Sequence, residues 1–289
     1  AARSAVILGS GVWHVLRSRA GITLDAGCTR PTPFGPSRPI FEAVLPGGRN
    51  VLLMTRHGEE GYALGAWAVN YRANLWALKD LGADLVLSTS ACGGVDPRLP
   101  VGTFVVPHDI LDQTTGRAKT FFEHSGLGVV RHAQPFCPVL GAALAEGLAS
   151  AGVRHRVGGV YACTDGPRLE TPAQVRALAA QGATLVGMTV APEWALAREL
   201  ELCYATLSWV VNPAEGVLPR PYRPDVLFEG MATSDEMEEG DRAAERVPEI
   251  LAAALDRVGP DRPCYCRRAM ERYRKRGDIG GDFRTWTGA

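Results

Sequence analysis

Short β-branched and aliphatic runs alternate along the chain with longer segments whose apolar residues recur at helical spacing. This is the pattern of an α/β fold around a largely buried sheet. Strands are predicted at residues 5–8, 51–54, 85–87, 104–106, 160–163, 185–188 and 204–211. Helices are predicted over 71–81, where Leu75 and Leu78 mark the apolar face, and from Pro172 through 180 and Pro192 to about 202, proline suiting a first helical turn. A further amphipathic helix over 235–258 is expected to lie on the sheet. Between them Pro213, Pro219, Pro221 and Pro224 break any regular element, so the stretch to about Gly230 is predicted to be a loop and a candidate lid.

Composition narrows the class. The chain has 289 residues, 46% hydrophobic and 21% charged, with 31 basic against 31 acidic side chains. A chain of this size buries enough surface to fold without staples. Balanced charge argues against nucleic acid or an anionic membrane as partner, because both call for a net basic face. No apolar run approaches the ~18 residues of a membrane span, and Ala1-Ala2-Arg3-Ser4 leads straight into a strand without signal-like segments, so a cytoplasmic protein is expected. The seven cysteines, an odd number mostly inside apolar runs, suit small buried hydrophobes rather than a disulfide framework. Cys264 and Cys266 are spaced C-x-C with no second ligand pair nearby in sequence; a closed zinc site wants four ligands, so no metal is expected.

In a sheet of this kind ligands collect at the carboxyl ends of strands, and here those ends are polar. They read Gly9-Ser10-Gly11, Thr55-Arg56-His57-Gly58, Ser88-Thr89-Ser90-Ala91-Cys92-Gly93-Gly94, Thr164-Asp165-Gly166-Pro167-Arg168-Leu169-Glu170, Met188-Thr189 and Asn212. Glycines let backbone amides turn toward a ligand, serines add hydroxyl donors, and Arg56 offers a two-pronged grip. Taken singly, a G-S-G run is a tight turn and a strand-end arginine a surface ion pair. Their concurrence on successive strand ends points to phosphate.

From about Ala5 to Leu255 the chain resembles the trimeric purine nucleoside phosphorylase and methylthioadenosine phosphorylase family. The motifs that carry the resemblance are "VILGSG", "TRHGEEGY", "VNYRANLWALKDLGADLVLSTSACGGVDP", "YACTDGPRLETPAQ", "VGMTVAPEWALARELEL" and "VVNPAEG". The resemblance implies a single α/β domain over 1–259, with a mixed central sheet flanked by helices. It implies a pentosyltransferase in which inorganic phosphate displaces a purine base, with no metal or organic cofactor, and a homotrimer whose sites borrow residues from a neighbour. It puts Ser10, Arg56, His57, Ser90, Ala91 through its backbone amide, and Thr189 on the phosphate, Met188 on the sugar, and Leu169, Glu170 and Asn212 on the base. Asn212, Glu170 and His57 are the residues implied in catalysis.

Glu170 and Asn212 resemble the 6-oxopurine branch. A carboxylate accepts from the ring N–H of hypoxanthine or guanine, which adenine lacks, and an amide donates to the carbonyl oxygen and adjacent nitrogen. The sugar's 5′ side is less defined, leaving inosine, guanosine and methylthioinosine open. Gly61 stands where members that use 5′-methylthio substrates have a histidine, Glu59 where the 6-oxopurine branch has a sugar-contacting tyrosine, Val129 where a histidine precedes "QPFCP", and Leu169 where an aromatic often stacks on the base. His132 is out of register. Competing readings are a methylthioadenosine phosphorylase, a hydrolase using water, and a nucleoside-binding homologue without turnover.

The basic stretch from Pro260 has no counterpart in these motifs. It is expected to be an exposed extension, 260–289; the sharper alternative is that Tyr265, Tyr273, Phe283 and Trp286 fold back on the body or a neighbouring subunit and affect the site mouth.

Overall fold

A computed structural model describes residues 3–19, 21–59 and 63–286. In chain order the elements are β1 (Arg3–Leu8), α1 (Val12–Ser18), β2 (Thr23–Leu24), β3 (Ile40–Leu45), β4 (Arg49–Thr55), α2 (Tyr71–Asp80), β5 (Ala83–Gly94), β6 (Phe104–Val106), β7 (Asp109–Asp112), α3 (Pro138–Ser150), β8 (His155–Val157), β9 (Val160–Cys163), α4 (Pro172–Ala180), β10 (Leu185–Gly187), α5 (Val190–Glu199), β11 (Cys203–Pro213), α6 (Ser234–Asp256) and α7 (Glu271–Arg276). The strands form one mixed sheet in the order β2-β3-β4-β1-β5-β10-β9-β7, with β11 also pairing β5 and leading on to β6 and β8. The α/β class with a mixed sheet is as predicted.

Alternation along each central strand sends neighbouring side chains to opposite layers. Ala5 and Ile7 of β1, with Leu52 and Met54 of β4, face α2 and α5; Val6 and Leu8, with Val51 and Leu53, face α1, α3 and α6. Both faces are covered, which is why these strands are near-continuously apolar. Helix α6 starts at Thr233, whose hydroxyl accepts from the Glu236 N–H while the Glu236 carboxylate accepts from the Thr233 N–H. It lies on α3 at Gly147, where a Cβ would meet the Ile250 carbonyl at 3.1 Å.

Three expectations change. The polar run Ser88–Gly94, read as following a strand, is the second half of β5 itself. Its hydroxyls are buried yet satisfied by groups from distant elements: Ser88 by the Tyr204 hydroxyl, Thr89 by the Gly9 backbone N–H, Ser90 by the Tyr161 hydroxyl. The sequence reading also omits α1 and α3, the first because Gly9-Ser10-Gly11 looked like an isolated turn. Gly11, at φ +83°, is the left-handed residue that opens α1.

The third change concerns the stretch from Pro260, which is not an exposed extension. Met270, Tyr273, Ile279, Phe283 and Trp286 join the same apolar layer as α2 and α5. The Phe283 ring lies 5.5 Å from that of Trp76. Glu201 holds the segment electrostatically, accepting from the Met270 N–H at 2.9 Å and from Arg274 at 2.8 and 2.7 Å. Of the four aromatics considered, only Tyr265 stays exposed.

Candidate active site

The site is set by a break in pairing along β5. Its first half pairs β1 as far as Ser88, opposite Ile7, and its last residues, Gly93 and Gly94, pair antiparallel β10. Among the described residues no strand covers that edge between Thr89 and Cys92. There β1 has ended and β10 has not begun, so polar strand ends converge on a buried stretch of β5 that no strand pairs on this edge, as they do where strand direction switches in open α/β sheets.

Gly9 closes one side of the break. Its N–H donates to the Thr89 hydroxyl at 2.8 Å, and a Cβ there would lie 2.6 Å from the Thr89 carbonyl oxygen. Ser10 follows, half-buried, in the turn to α1. On the other side Gly187 admits the Tyr161 hydroxyl, which a Cβ would strike. Ser90 Oγ bonds that hydroxyl at 2.8 Å and Thr189 Oγ1 at 3.3 Å. Ser90 and Thr189, 99 residues apart in sequence, are thereby adjacent. Ala91, half-buried, sits next along β5, opposite Trp209 of β11.

Arg56 lies fully buried beneath the break. Its Nε and Nη2 donate to the two oxygens of Glu193 at 2.5 and 2.9 Å, and Nη1 donates to the Thr89 carbonyl at 3.2 Å. The two-pronged grip foreseen for an anion is therefore taken by Glu193. What the guanidinium keeps, among the described residues, is one N–H each on Nη1 and Nη2. The Tyr204 hydroxyl donates to Glu193 at 2.8 Å, so Ser88 must donate to Tyr204 across their 2.7 Å contact. Burial alone would lower the Arg56 pKa, but the Glu193 carboxylate more than offsets it, and the guanidinium stays charged. Sequence reasoning missed Glu193: an acid in the first turn of α5 reads as a helix-dipole partner, and nothing local says that it points under the sheet.

His57 is buried, with Nδ1 2.9 Å from the Leu64 carbonyl oxygen. A carbonyl can only accept, so the hydrogen sits on Nδ1. Burial, and then the charge of Arg56, push its pKa down to about 4, so the ring is neutral near pH 7. Of the neighbouring run, Gly61 and its flanking residues lie outside the described residues.

Arg117, from the loop after β7, is a second omission of the sequence reading. It is buried over the face of Tyr71 and donates to the carbonyls of Met188 (2.7 Å), Ala191 (2.5 Å), Thr164 (3.3 Å) and Asp165 (3.0 Å). It thus ties the ends of β9 and β10, which carry Met188, Thr189 and the loop to Glu170. The Met188 side chain lies against Gly166, where a Cβ would be 2.5 Å from its sulfur.

Glu170 accepts from the Thr164 hydroxyl at 2.7 Å and is nearly buried, while Leu169 beside it is exposed. Asn212 lies opposite Gly93 across a bulge in β11. Its Nδ2 donates to the Pro213 carbonyl at 2.8 Å and approaches the Met231 sulfur at 3.9 Å. No hydrogen bond joins Glu170 to Asn212 among the described residues, but their segments meet: a Cβ on Gly216 would be 2.9 Å from the Cβ of Pro172. The proline-broken stretch after β11 is a loop as predicted, and Met231, Pro213, Gly216 and Pro221 line a narrow cleft beside Asn212.

The loop in which a 5′-side histidine was expected has its own contacts. His132 meets Trp194 edge-on, ring centres 4.5 Å apart. The Val129 N–H donates to the Tyr273 hydroxyl at 2.9 Å, and that hydroxyl donates to the Val129 carbonyl at 3.2 Å. The terminal stretch therefore reaches the loop in which the sequence motifs put the 5′-side position. The expectation of no metal ligand set is also corrected, since Cys137 and Cys203 gather with Cys264 and Cys266, all four sulfurs within 4.8 Å of one another.

Fold and site together define the class: a mixed α/β sheet whose polar strand ends gather at a break above a buried, ion-paired arginine. The chain belongs to the Phosphorylase superfamily, which it matches over residues 4–256. It is 37% identical over 270 residues to a probable 6-oxopurine nucleoside phosphorylase of Moorella thermoacetica, covering 92% of this chain and 97% of that one. It is 43% identical over 215 residues to a probable S-methyl-5′-thioinosine phosphorylase of Pseudomonas syringae pv. tomato, covering 73% and 85%. Among solved structures, a methylthioadenosine phosphorylase from an antarctic soil metagenomic library superposes with a TM-score of 0.80 at 28% identity, covering 93% of this chain and 91% of that one.

Proposed function

We propose that this protein is a purine nucleoside phosphorylase that cleaves the N-glycosidic bond of 6-oxopurine nucleosides with inorganic phosphate, giving the free base and a sugar 1-phosphate. The observation that carries the reading is the gathering of Ser10, Arg56, Ser90 and Thr189 at the break in the sheet, with the segments that bear Glu170 and Asn212 meeting at Gly216 and Pro172; Glu170 and Asn212 are taken as the base-binding pair. Matches to 6-oxopurine and S-methyl-5′-thioinosine phosphorylases support it.

In this reading phosphate enters the unpaired edge of β5, held by the hydroxyls of Ser10, Ser90 and Thr189, the Ala91 amide and the two remaining N–H groups of Arg56, while neutral His57, its hydrogen on Nδ1, serves only as an acceptor toward a protonated phosphate oxygen. Glu193 fixes the guanidinium plane and is a positioning residue. The sugar lies along Met188. Glu170 has accepting capacity beyond its bond to Thr164 and takes the purine ring N–H. Asn212 exchanges its weak sulfur contact for the purine, its one freed Nδ2 hydrogen directed between the carbonyl oxygen and the adjacent nitrogen and donating as negative charge builds on the leaving base. A preorganised donor of this kind is worth about 2.7–4 kcal/mol. Holding phosphate against the cationic anomeric carbon supplies the rest through proximity. The chemistry drawn here needs no cofactor beyond phosphate as co-substrate.

We further propose a cytoplasmic homotrimer, on the resemblance of the sequence motifs; no helix among the described residues is long and apolar enough to cross a membrane. Light scattering on the purified protein tests the assembly. Phosphorolysis is tested by following inosine with phosphate present and omitted: ribose 1-phosphate and hypoxanthine are expected in equal amounts, and free ribose in phosphate-free buffer would indicate a hydrolase.

A further inference from the structure

Four cysteines from three separate parts of the chain converge away from the nucleoside site. Cys137 immediately precedes α3, Cys203 opens β11, and Cys264 and Cys266 flank the exposed Tyr265 in the terminal stretch. The Cys137 N–H donates to the Tyr204 carbonyl at 2.8 Å, which seats the first loop against the start of β11. Cys137, Cys203 and Cys266 are buried and Cys264 is half-buried. All four are free thiols; Cys203 and Cys264 have their sulfurs 3.5 Å apart, a contact and not a bond.

The geometry points to a structural zinc site formed by Cys137, Cys203, Cys264 and Cys266, which clamps the terminal stretch onto the body of the protein. Zinc binds four thiolates tetrahedrally at about 2.3 Å, which sets neighbouring sulfurs about 3.8 Å apart. Sulfurs 3.5 Å apart at one pair and within 4.8 Å overall need only small side-chain rotations to reach that arrangement. Four soft donors and no carboxylate or imidazole select zinc over the hard divalent ions. A full set of protein ligands leaves no position for water or substrate, so the site is structural.

The surroundings fit the charge. Four thiolates around a divalent ion carry net negative charge, and two nearly buried arginines lie beside the segments that bear the cysteines: Arg198 donates to the carbonyls of Gln134 and Pro135, just ahead of Cys137, and Arg262 is two residues before Cys264. Arg262 also reaches Asp84 through Nη2, while its Nε is buried with no hydrogen-bond partner among the described residues. Apolar packing alone does not explain the arrangement, because thiols packed as hydrophobes gain by touching carbon and not by turning their sulfurs toward one another. The clamp has a mechanical consequence. It fixes the start of the segment whose Tyr273 holds both backbone groups of Val129, so it braces the loop over residues 126–135.

Metal analysis of the full chain, produced in zinc-supplemented medium and purified under reducing conditions without chelator, tests this directly. One zinc per chain is expected, released in step with titration of the thiols by a mercurial and detected with a chromogenic chelator. Cobalt exchanged into the site should give thiolate-to-metal charge transfer and the intense visible bands of a tetrahedral ion. Cys264→Ser and Cys266→Ser should lose the zinc, whereas Cys28→Ser, outside the cluster, should keep it. Should the serine variants fail to fold, the cobalt spectrum of the unaltered protein decides. Metal far below one equivalent overturns the inference, whether the four thiols titrate as free or are found paired as disulfides by non-reducing mass analysis. Full zinc content in Cys264→Ser and Cys266→Ser overturns it equally.

Discussion

The guanidinium of Arg56 is gripped side-on by the carboxylate of Glu193, Nε to Oε1 at 2.5 Å and Nη2 to Oε2 at 2.9 Å, with neither side chain reaching solvent. Removing one partner of such a buried pair leaves an uncompensated charge and costs about 3–5 kcal/mol. Glu193→Ala is therefore expected to lower stability by that order in denaturant titration. Glu193→Gln keeps the shape but frees the guanidinium plane, and should raise the KM for phosphate more than that for nucleoside. Equal changes in both constants would assign Glu193 a purely structural role.

In the proposed function Asn212 and Glu170 divide the recognition of the base. Asn212→Ala should lower turnover of inosine at least ~100-fold, the loss seen when one charge-stabilising donor is removed. Glu170→Gln should reduce the preference for inosine over adenosine by orders of magnitude, since buried polar groups left unpaired discriminate by up to ~10⁴–10⁵. Steady-state rates on both nucleosides check this, and near-normal inosine turnover by the Asn212 variant contradicts its role.

Arg117 joins the carbonyls of four residues from two strand ends and a helix start. Hydrogen bonds from a charged donor contribute about 1.5–3 kcal/mol each, though not additively. Arg117→Met is expected to lower stability by at least ~3 kcal/mol and to raise the KM for nucleoside, because Met188 and the loop to Glu170 lose their tie. A variant with unaltered unfolding midpoint would show that the carbonyls find other partners.

Stability should fall in mild acid. His57 and His132 are pushed down from 6.5 to about 4, in both cases first by burial and then by a neighbouring arginine. Between those values the unfolded chain binds two protons that the folded chain does not, so the stability these rings contribute is full above about pH 6.5 and is lost toward pH 4. Glu199, pushed up to about 7 by burial, works the other way, its contribution falling as pH rises from 4.5 to 7. Two histidines outweigh one carboxyl. The unfolding midpoint should be lower at pH 5 than at pH 7.5, and His132→Gln should flatten the slope. A midpoint that is level or rises in acid would contradict this balance.

How far the molecule is legible in its sequence follows from where each interaction lives. Strand cores such as Val160–Cys163 and Phe104–Val106, and helix α4 behind its proline, are local patterns and lie where predicted. The strand ends were legible because polar residues interrupt apolar runs there. Glu193 beneath Arg56, and Arg117 across the ends of β9 and β10, were not: each is an ordinary charged residue until a distant element is brought against it. The same holds for the cysteines. Cys264 and Cys266 looked two ligands short because Cys137 and Cys203 arrive from 127 and 61 residues away. The terminal stretch read as an exposed extension because it is basic and has no counterpart in the motifs, yet its apolar residues land on a single layer of the core.

The central claim, phosphate-driven cleavage selective for the 6-oxopurine, is tested most directly by one panel. Inosine, guanosine, adenosine and their 5′-methylthio forms are each incubated with the purified protein, with and without phosphate. Base release confined to the phosphate-containing wells, and faster by orders of magnitude for hypoxanthine- and guanine-bearing nucleosides than for adenine-bearing ones, is the predicted result. Equal release without phosphate, or adenine released as fast as hypoxanthine, would contradict it.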